Sequence, residues 1–241
     1  KPVFFIVIDN LRYDQWKIIE SDISKKFHIN QDNPYLSILP TTTEYSRNAL
    51  FSGLTPLEMS NMYPELWEDK SNGLNNREYE FLDENIKRNN LKIKHSYHKI
   101  TSHSDGIKFS KKKSDLLKYD LNSIVFNFID MLSHSSTENK LFKNLAYDEK
   151  SFRSFSRSWF KNSALNDLIT YLSKQDVKVF MTTDHGTIRV EQPVKIKANK
   201  ETNTNMRFKF GKNLNVENEN IFIVDNGEEI GLPKHNIFNK Y

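Results

Sequence analysis

Cysteine is absent from this 241-residue chain, glycine and proline are scarce at 7 each, and no long apolar run occurs. Without cysteine there are no disulfides and no thiolate zinc sites. No apolar stretch approaches the roughly 20 residues of a membrane-spanning helix, so no membrane partner is expected. The sparse Gly and Pro leave no linker-like low-complexity segment, and no repeat of solenoid period occurs. What is there suffices for a core: 37% hydrophobic and 12% aromatic residues exclude global disorder. Lys and Arg outnumber Asp and Glu by 35 to 31, a net charge of +4, which is only weak evidence for an anionic partner. The length suits one sizeable domain, or a domain with a small insertion. The opening residues read as a core strand, so the expectation is a gene product that begins upstream.

Three segments share one pattern. Val3–Ile8 is a continuous apolar run followed by Asp9; Ile124–Ile129 is largely apolar and followed by Asp130; Val177–Thr183 is strand-like and followed by Asp184. Runs of this kind suit strands covered on both faces. Helical patterns lie between them: Tyr45–Phe51, opened by threonines, and a segment from about Phe152 to Lys174 with Leu165, Leu168, Ile169 and Leu172 at helix spacing. Strands alternating with helices predict an α/β domain with a mainly parallel sheet sandwiched by helices. Ligands of such sheets bind at the carboxyl ends of the strands, where three carboxylates could converge. The plainer account is that Asp opens turns after strands. Ile221–Val224 followed by Asp225-Asn226-Gly227 fits that account, as a strand and hairpin-type turn. Residues from about 66 to 119 are polar, lysine-rich and irregular, and are expected to form a cap or insert. Lys108–Lys113 within them is expected to be a solvated loop rather than an anion site.

The candidate chemistry sits around those aspartates. Asp184-His185-Gly186 sets two metal-ligand types side by side, with glycine allowing close backbone approach. Asp130 and His134 are four apart and share a face if a helical turn follows the strand; carboxylate and imidazole suit zinc or manganese. In Pro40-Thr41-Thr42-Thr43-Glu44, Thr41 and Glu44 fit a capping box. Yet a hydroxyl at a helix start also faces free N–H groups that favour phosphate, and a nearby metal would make it a nucleophile. Arg47, one turn after Thr43, and Asn10, beside Asp9, are the candidates for substrate contact. Together these suggest two metal sites: Asp9, Thr43, Asp184 and His185 around one ion, Asp130 and His134 around another. Two ions about 4 Å apart stabilise both the attacking and the leaving oxygen at phosphorus.

The order of these segments resembles the alkaline phosphatase superfamily, and their wording resembles its PglZ domain, in particular that of PorX-type two-component response regulators of Bacteroidetes. The segments are Val7–Trp16, Leu39–Arg47, Thr182–Thr187 and Asn203–Arg207, and the resemblance spans essentially the whole chain. It implies an alkaline-phosphatase-like fold, a two-metal site holding Zn2+ or Mn2+, and a threonine nucleophile that falls on Thr43, with Thr41 and Thr42 as alternatives. It also implies Asp9, Asp184 and His185 on the nucleophile-side ion, and Asp130 and His134 on the other. The family's second ion has a further histidine near the end of the module. His235 is the only histidine after His185, and its Leu-Pro-Lys-His-Asn setting differs from the usual His-Gly-Gly. The expectation is that the chain stops short of that ligand. An N-terminal receiver domain, a sensor histidine kinase, control of type IX secretion, a cytoplasmic location and a homodimer are further expectations of the resemblance.

The leading functional expectation is a metal-dependent phosphodiesterase acting on nucleotide-type substrates. The rival is a regulatory protein-interaction module that keeps its metal for structure. A nucleic-acid-binding domain is disfavoured, because no helix-turn-helix or aromatic–basic platform stands out.

Overall fold

The computed structural model describes residues 1–67, 76–138, 144–190, 192–197, 207–211, 214–215, 221–233 and 241. Its elements in chain order are β1 (Val3–Ile8), α1 (Tyr13–Ile23), α2 (Thr43–Ser52), α3 (Pro56–Met62), α4 (Glu78–Arg88), β2 (His95–Ile100), α5 (His103–Lys112), a 3-10 turn (Lys113–Lys118), β3 (Leu121–Phe126), α6 (Phe128–Glu138), α7 (Glu149–Asn162), α8 (Ala164–Leu172), β4 (Lys178–Thr182) and a second 3-10 turn (Gly227–Ile230). They divide between two compact units, one of Lys1–Leu36 and Leu91–Thr187, the other of Ser37–Asn90 and Ile188–Tyr241. The architecture is the mixed α/β type expected.

The first unit is built on a four-stranded sheet in the order β2-β3-β1-β4, with every neighbouring pair parallel. Parallel strands need long crossovers, and the connections between these strands carry the helices. The odd-even alternation of the strands sends Phe4, Ile6 and Ile8 of β1 and Ile124 and Phe126 of β3 into one core. There they meet Ile19 and Ile23 of α1, Phe160 of α7 and Leu165, Leu168, Ile169 and Leu172 of α8. Val7 and Val125, which point the other way, are also fully buried, so the unbroken apolar runs of β1 and β3 are explained; β4 ends the sheet order and leaves Phe180 57% exposed, so its run is not that of a strand covered on both faces.

Several boundaries differ from the sequence reading. Phe152–Lys174 is two helices, because Ser163 ends one and caps the next: its Oγ donates to Phe160 O at 2.8 Å and accepts from Asn166 N at 3.3 Å. β3 stops at Phe126, so Asp130 lies in the first turn of α6 rather than at a strand end. The polar stretch expected as an irregular cap holds α4, β2 and α5, and β2 pairs in the sheet. Its sequence, His-Ser-Tyr-His-Lys-Ile, is too polar to read as a strand, but β3 is its only partner among the described residues. Lys108–Lys113 is not a loop: it is the end of α5 and the turn after it, and Lys113 Nζ reaches both carboxylate oxygens of Asp167 at 2.6 and 2.7 Å.

The second unit contains α2, α3 and α4 around Tyr45, Met59, Trp67, Phe81 and Leu232. α2 ends in a left-handed Gly53, φ 65°, as helix C-termini favour. α3 opens with Pro56 and a capping box between Thr55 and Glu58. Ile221–Val224 is not a strand; Val224 exchanges backbone hydrogen bonds with Tyr241 instead. Nor is Asp225-Asn226-Gly227 a hairpin turn, since Asn226 caps the second 3-10 turn by accepting from Glu228 N. Among the described residues, no helix is long and apolar enough to cross a membrane.

Candidate metal centre

Register decides which residues meet at the carboxyl edge of the sheet. Ile8 stands opposite Phe126, and Val7 opposite Thr182. The residues that follow each strand therefore emerge side by side. Asp9 N donates to Phe126 O at 2.9 Å, which carries the sheet one residue further and fixes where the Asp9 carboxylate begins. The chain then reverses at Asn10, whose backbone is left-handed at φ 62°, and Leu11 N returns to Ile8 O at 3.3 Å.

On the other side, Thr183 pins this turn to the loop after β4. Its Oγ1 accepts from Leu11 N at 3.0 Å and donates to His185 O at 2.7 Å. Asp184 Oδ1 accepts from His185 N at 2.9 Å and from Asn10 N at 3.2 Å. Asp9, Asp184 and His185 are all buried, at 0–2% exposure. Tyr35 also reaches this loop, its hydroxyl donating to Thr183 O. Burial pushes the Tyr35 phenol above its ordinary range, and the Asp184 charge adds to that, so the phenol stays a donor. Thr183 and Tyr35 carry no metal-ligand signature in the sequence. The threonine before Asp-His was visible, but only the fold reveals which amide it binds.

Asp9, Asp130 and His185 each bring one ligand atom within 4.8 Å of the others. His185 Nε2 lies 3.5 Å from Asp9 Oδ1 and 3.9 Å from Asp184 Oδ2. Its other nitrogen, Nδ1, is 3.1 Å from Gly186 O. A carbonyl only accepts, so that bond requires the proton on Nδ1 and turns the Nε2 lone pair toward the Asp9 carboxylate. A cation between that nitrogen and the carboxylate, whether a metal ion or a proton on Nε2, satisfies both. Two atoms bound to one tetrahedral zinc stand about 3.3 Å apart, given zinc–ligand lengths near 2 Å. The group fits a metal ion, and its O, O, N donor set suits zinc or manganese. Asp130 also faces its own helix: His134 Nε2 is 3.5 Å from Asp130 Oδ2, as i, i+4 spacing allows, with the His134 side chain 67% exposed.

The remaining candidates lie in the second unit. Thr43 is the first residue of α2. The N-cap is Thr42, in extended conformation and without a side-chain cap bond, so the capping box expected of Thr41 and Glu44 does not form. Thr42 is 7% exposed, and its hydroxyl has no hydrogen-bond partner among the described residues. Arg47 is 1% exposed and donates from Nε to Glu78 Oε1 at 2.9 Å, a buried ion pair inside this unit. His235 and the Asn203–Met206 part of the family-like segments lie outside the described residues.

The family model described as the BREX system PglZ alkaline phosphatase-like domain matches residues 1–240. No curated protein matches the chain. The match covers the parallel sheet, the loops that carry Asp9 and His185, the helix α6 that carries Asp130, and the threonine-opened helix α2, and with them comes membership of a phosphoesterase-type hydrolase superfamily. The chain belongs to the PglZ alkaline-phosphatase-like family.

Proposed function

We propose that this chain is a metal-dependent phosphoesterase that cleaves phosphodiesters of nucleotide type. The observation that supports it most is the convergence of Asp9, Asp130 and His185 at the carboxyl edge of the sheet, each with a ligand atom within 4.8 Å of the others. Asp9, Asp184 and His185 are assigned to one ion and Asp130 and His134 to a second, and Asp130 also stands with Asp9 and His185 in the group that could hold the first. Bound ions would neutralise charge on the phosphoryl oxygens and make a hydroxyl a better nucleophile. Thr43 is assigned that hydroxyl from its place in the threonine motif. It attacks phosphorus, the alcohol of the diester departs with a proton, and water then releases the phosphoryl group from the threonine. The mild excess of basic residues favours an anionic substrate. The wording of the motifs supports a place as the output module of a PorX-type response regulator, below a receiver domain.

Turnover of bis-p-nitrophenyl phosphate by the zinc-loaded protein tests the reading. Thr43→Ala is expected to lose activity by several orders of magnitude, as when a nucleophile is removed elsewhere, and to retain its fold. Thr41→Ala and Thr42→Ala run beside it. Activity kept in Thr43→Ala but lost in a neighbour would move the nucleophile to that neighbour. Activity kept in all three ends the covalent mechanism. A wild-type protein that binds zinc without turnover of any phosphodiester points to the interaction-module reading.

A further inference from the structure

Asn10 is fully buried, and its left-handed backbone at φ 62° is one that asparagine tolerates better than most residues. That turn puts one residue between two carboxylates from different elements. The Asn10 backbone N–H donates to Asp184 Oδ1 at 3.2 Å, and its side-chain Nδ2 donates to Asp130 Oδ1, also at 3.2 Å. The orientation of the amide follows from this contact. Exchanging its oxygen and nitrogen would set an acceptor against the Asp130 carboxylate. The amide oxygen therefore takes the remaining direction, where it is buried and has no hydrogen-bond partner among the described residues. Buried acceptors of this kind are costly, and an ion or a water is one way in which a native structure satisfies them. Next to it in the chain is Asp9, and the carboxylate it holds is Asp130; both belong to the Asp9, Asp130 and His185 group. An amide oxygen is a hard donor of the kind divalent cations accept beside carboxylate and imidazole.

We propose that Asn10 is a further oxygen donor of the metal centre: Nδ2 positions Asp130, and Oδ1 ligates a divalent cation held with Asp9, Asp130 and His185. This rests on the metal-dependent reading above. It gives Asn10 a duty toward the ion rather than the substrate, and it explains why the residue after Asp9 carries an amide in a strained turn where glycine would be the least strained choice.

The test is zinc and cobalt(II) titration of the full chain, by calorimetry and by the visible cobalt bands, in wild type, Asn10→Gly and Asn10→Asp. Glycine keeps the left-handed turn without strain and removes both side-chain functions. Aspartate keeps an oxygen at the same reach but loses the N–H to Asp130. Circular dichroism of the metal-free variants checks the fold. Asn10→Gly is expected to bind zinc 10–100-fold more weakly, the range for groups that support a metal site, and to shift the cobalt bands. Asn10→Asp is expected to bind at least as tightly as wild type. Aspartate as weak as glycine would mean that only the N–H matters, and would overturn the donor role. Unchanged affinity and cobalt bands in Asn10→Gly would overturn both roles while leaving the metal-dependent reading intact. A wild-type protein that binds neither ion would sink that reading itself, and the Asn10 proposal with it.

Discussion

Asp9 and Asp184 are buried carboxylates in the same small region, and Asp130 brings a third beside Asp9. Burying charge of one sign costs several kcal/mol per ion unless a counter-charge meets it. The amides of Asn10 and His185 answer Asp184, and the Asn10 side chain answers one oxygen of Asp130. A cation would answer the rest. This gives a signed expectation for Asp9→Asn. Zinc affinity should fall at least 100-fold, because one anionic ligand is lost. Metal-free stability should not fall, because a buried charge near Asp130 is removed while the side-chain volume is kept. Calorimetric zinc titration and urea denaturation in the presence of EDTA measure the two effects. A variant that binds zinc like wild type would remove Asp9 from the centre. At this scale the ligand types were legible in the sequence, because Asp9 and Asp184 each follow an apolar run closely. The part played by Asn10 was not, since it depends on a backbone conformation and on two partners, Asp130 and Asp184, 120 and 174 residues away.

At the scale of elements, legibility followed apolar composition. β1, β3 and β4 stood out as apolar runs, and the α/β class followed from them. β2 did not, because a polar strand at the end of the sheet order has no pattern distinct from a loop. Asp130 was read as a strand-end residue because the apolar run continues through Phe128 and Ile129 into α6, and composition does not mark where a strand gives way to a helix. Its spacing to His134 was nonetheless right for the helix it occupies. The break between α7 and α8 turns on one side chain. Ser163 satisfies an orphan amide of α8, and loss of such a cap costs about 1 kcal/mol. Ser163→Ala is therefore expected to lower stability by about that amount in urea titrations and to leave zinc affinity unchanged. A loss of zinc affinity would mean that the α7–α8 corner supports the centre directly. Gly53→Ala would act through a different route, since it strains a left-handed helix end at φ 65°.

For the whole molecule, metal binding is a folding question as much as a catalytic one. Asp9, Asp130 and His185 are contributed by residues far apart in sequence, all within the first unit. The unfolded chain cannot present them together, so an ion that binds them binds the folded state. Zinc at 100 times its dissociation constant then stabilises by about 2.7 kcal/mol. For a chain of this length, each kcal/mol moves the melting temperature by about 2–4 °C. A rise of about 5–11 °C is therefore expected on zinc addition, reversed by EDTA. Amide hydrogen exchange should place the added protection in residues 1–36 and 91–187, where the ligands and the sheet lie. The seven histidines of the chain provide a rival explanation, in which zinc binds scattered surface sites. The two differ in their response to one substitution. Scattered binding would stabilise Asp9→Asn as much as wild type, whereas a centre built on Asp9 would lose most of the rise. An equal shift in both proteins, or protection confined to 37–90 and 188–241, would show that the ion sits elsewhere. The sheet edge would then lose its claim to be the metal centre, whatever the family resemblance implies.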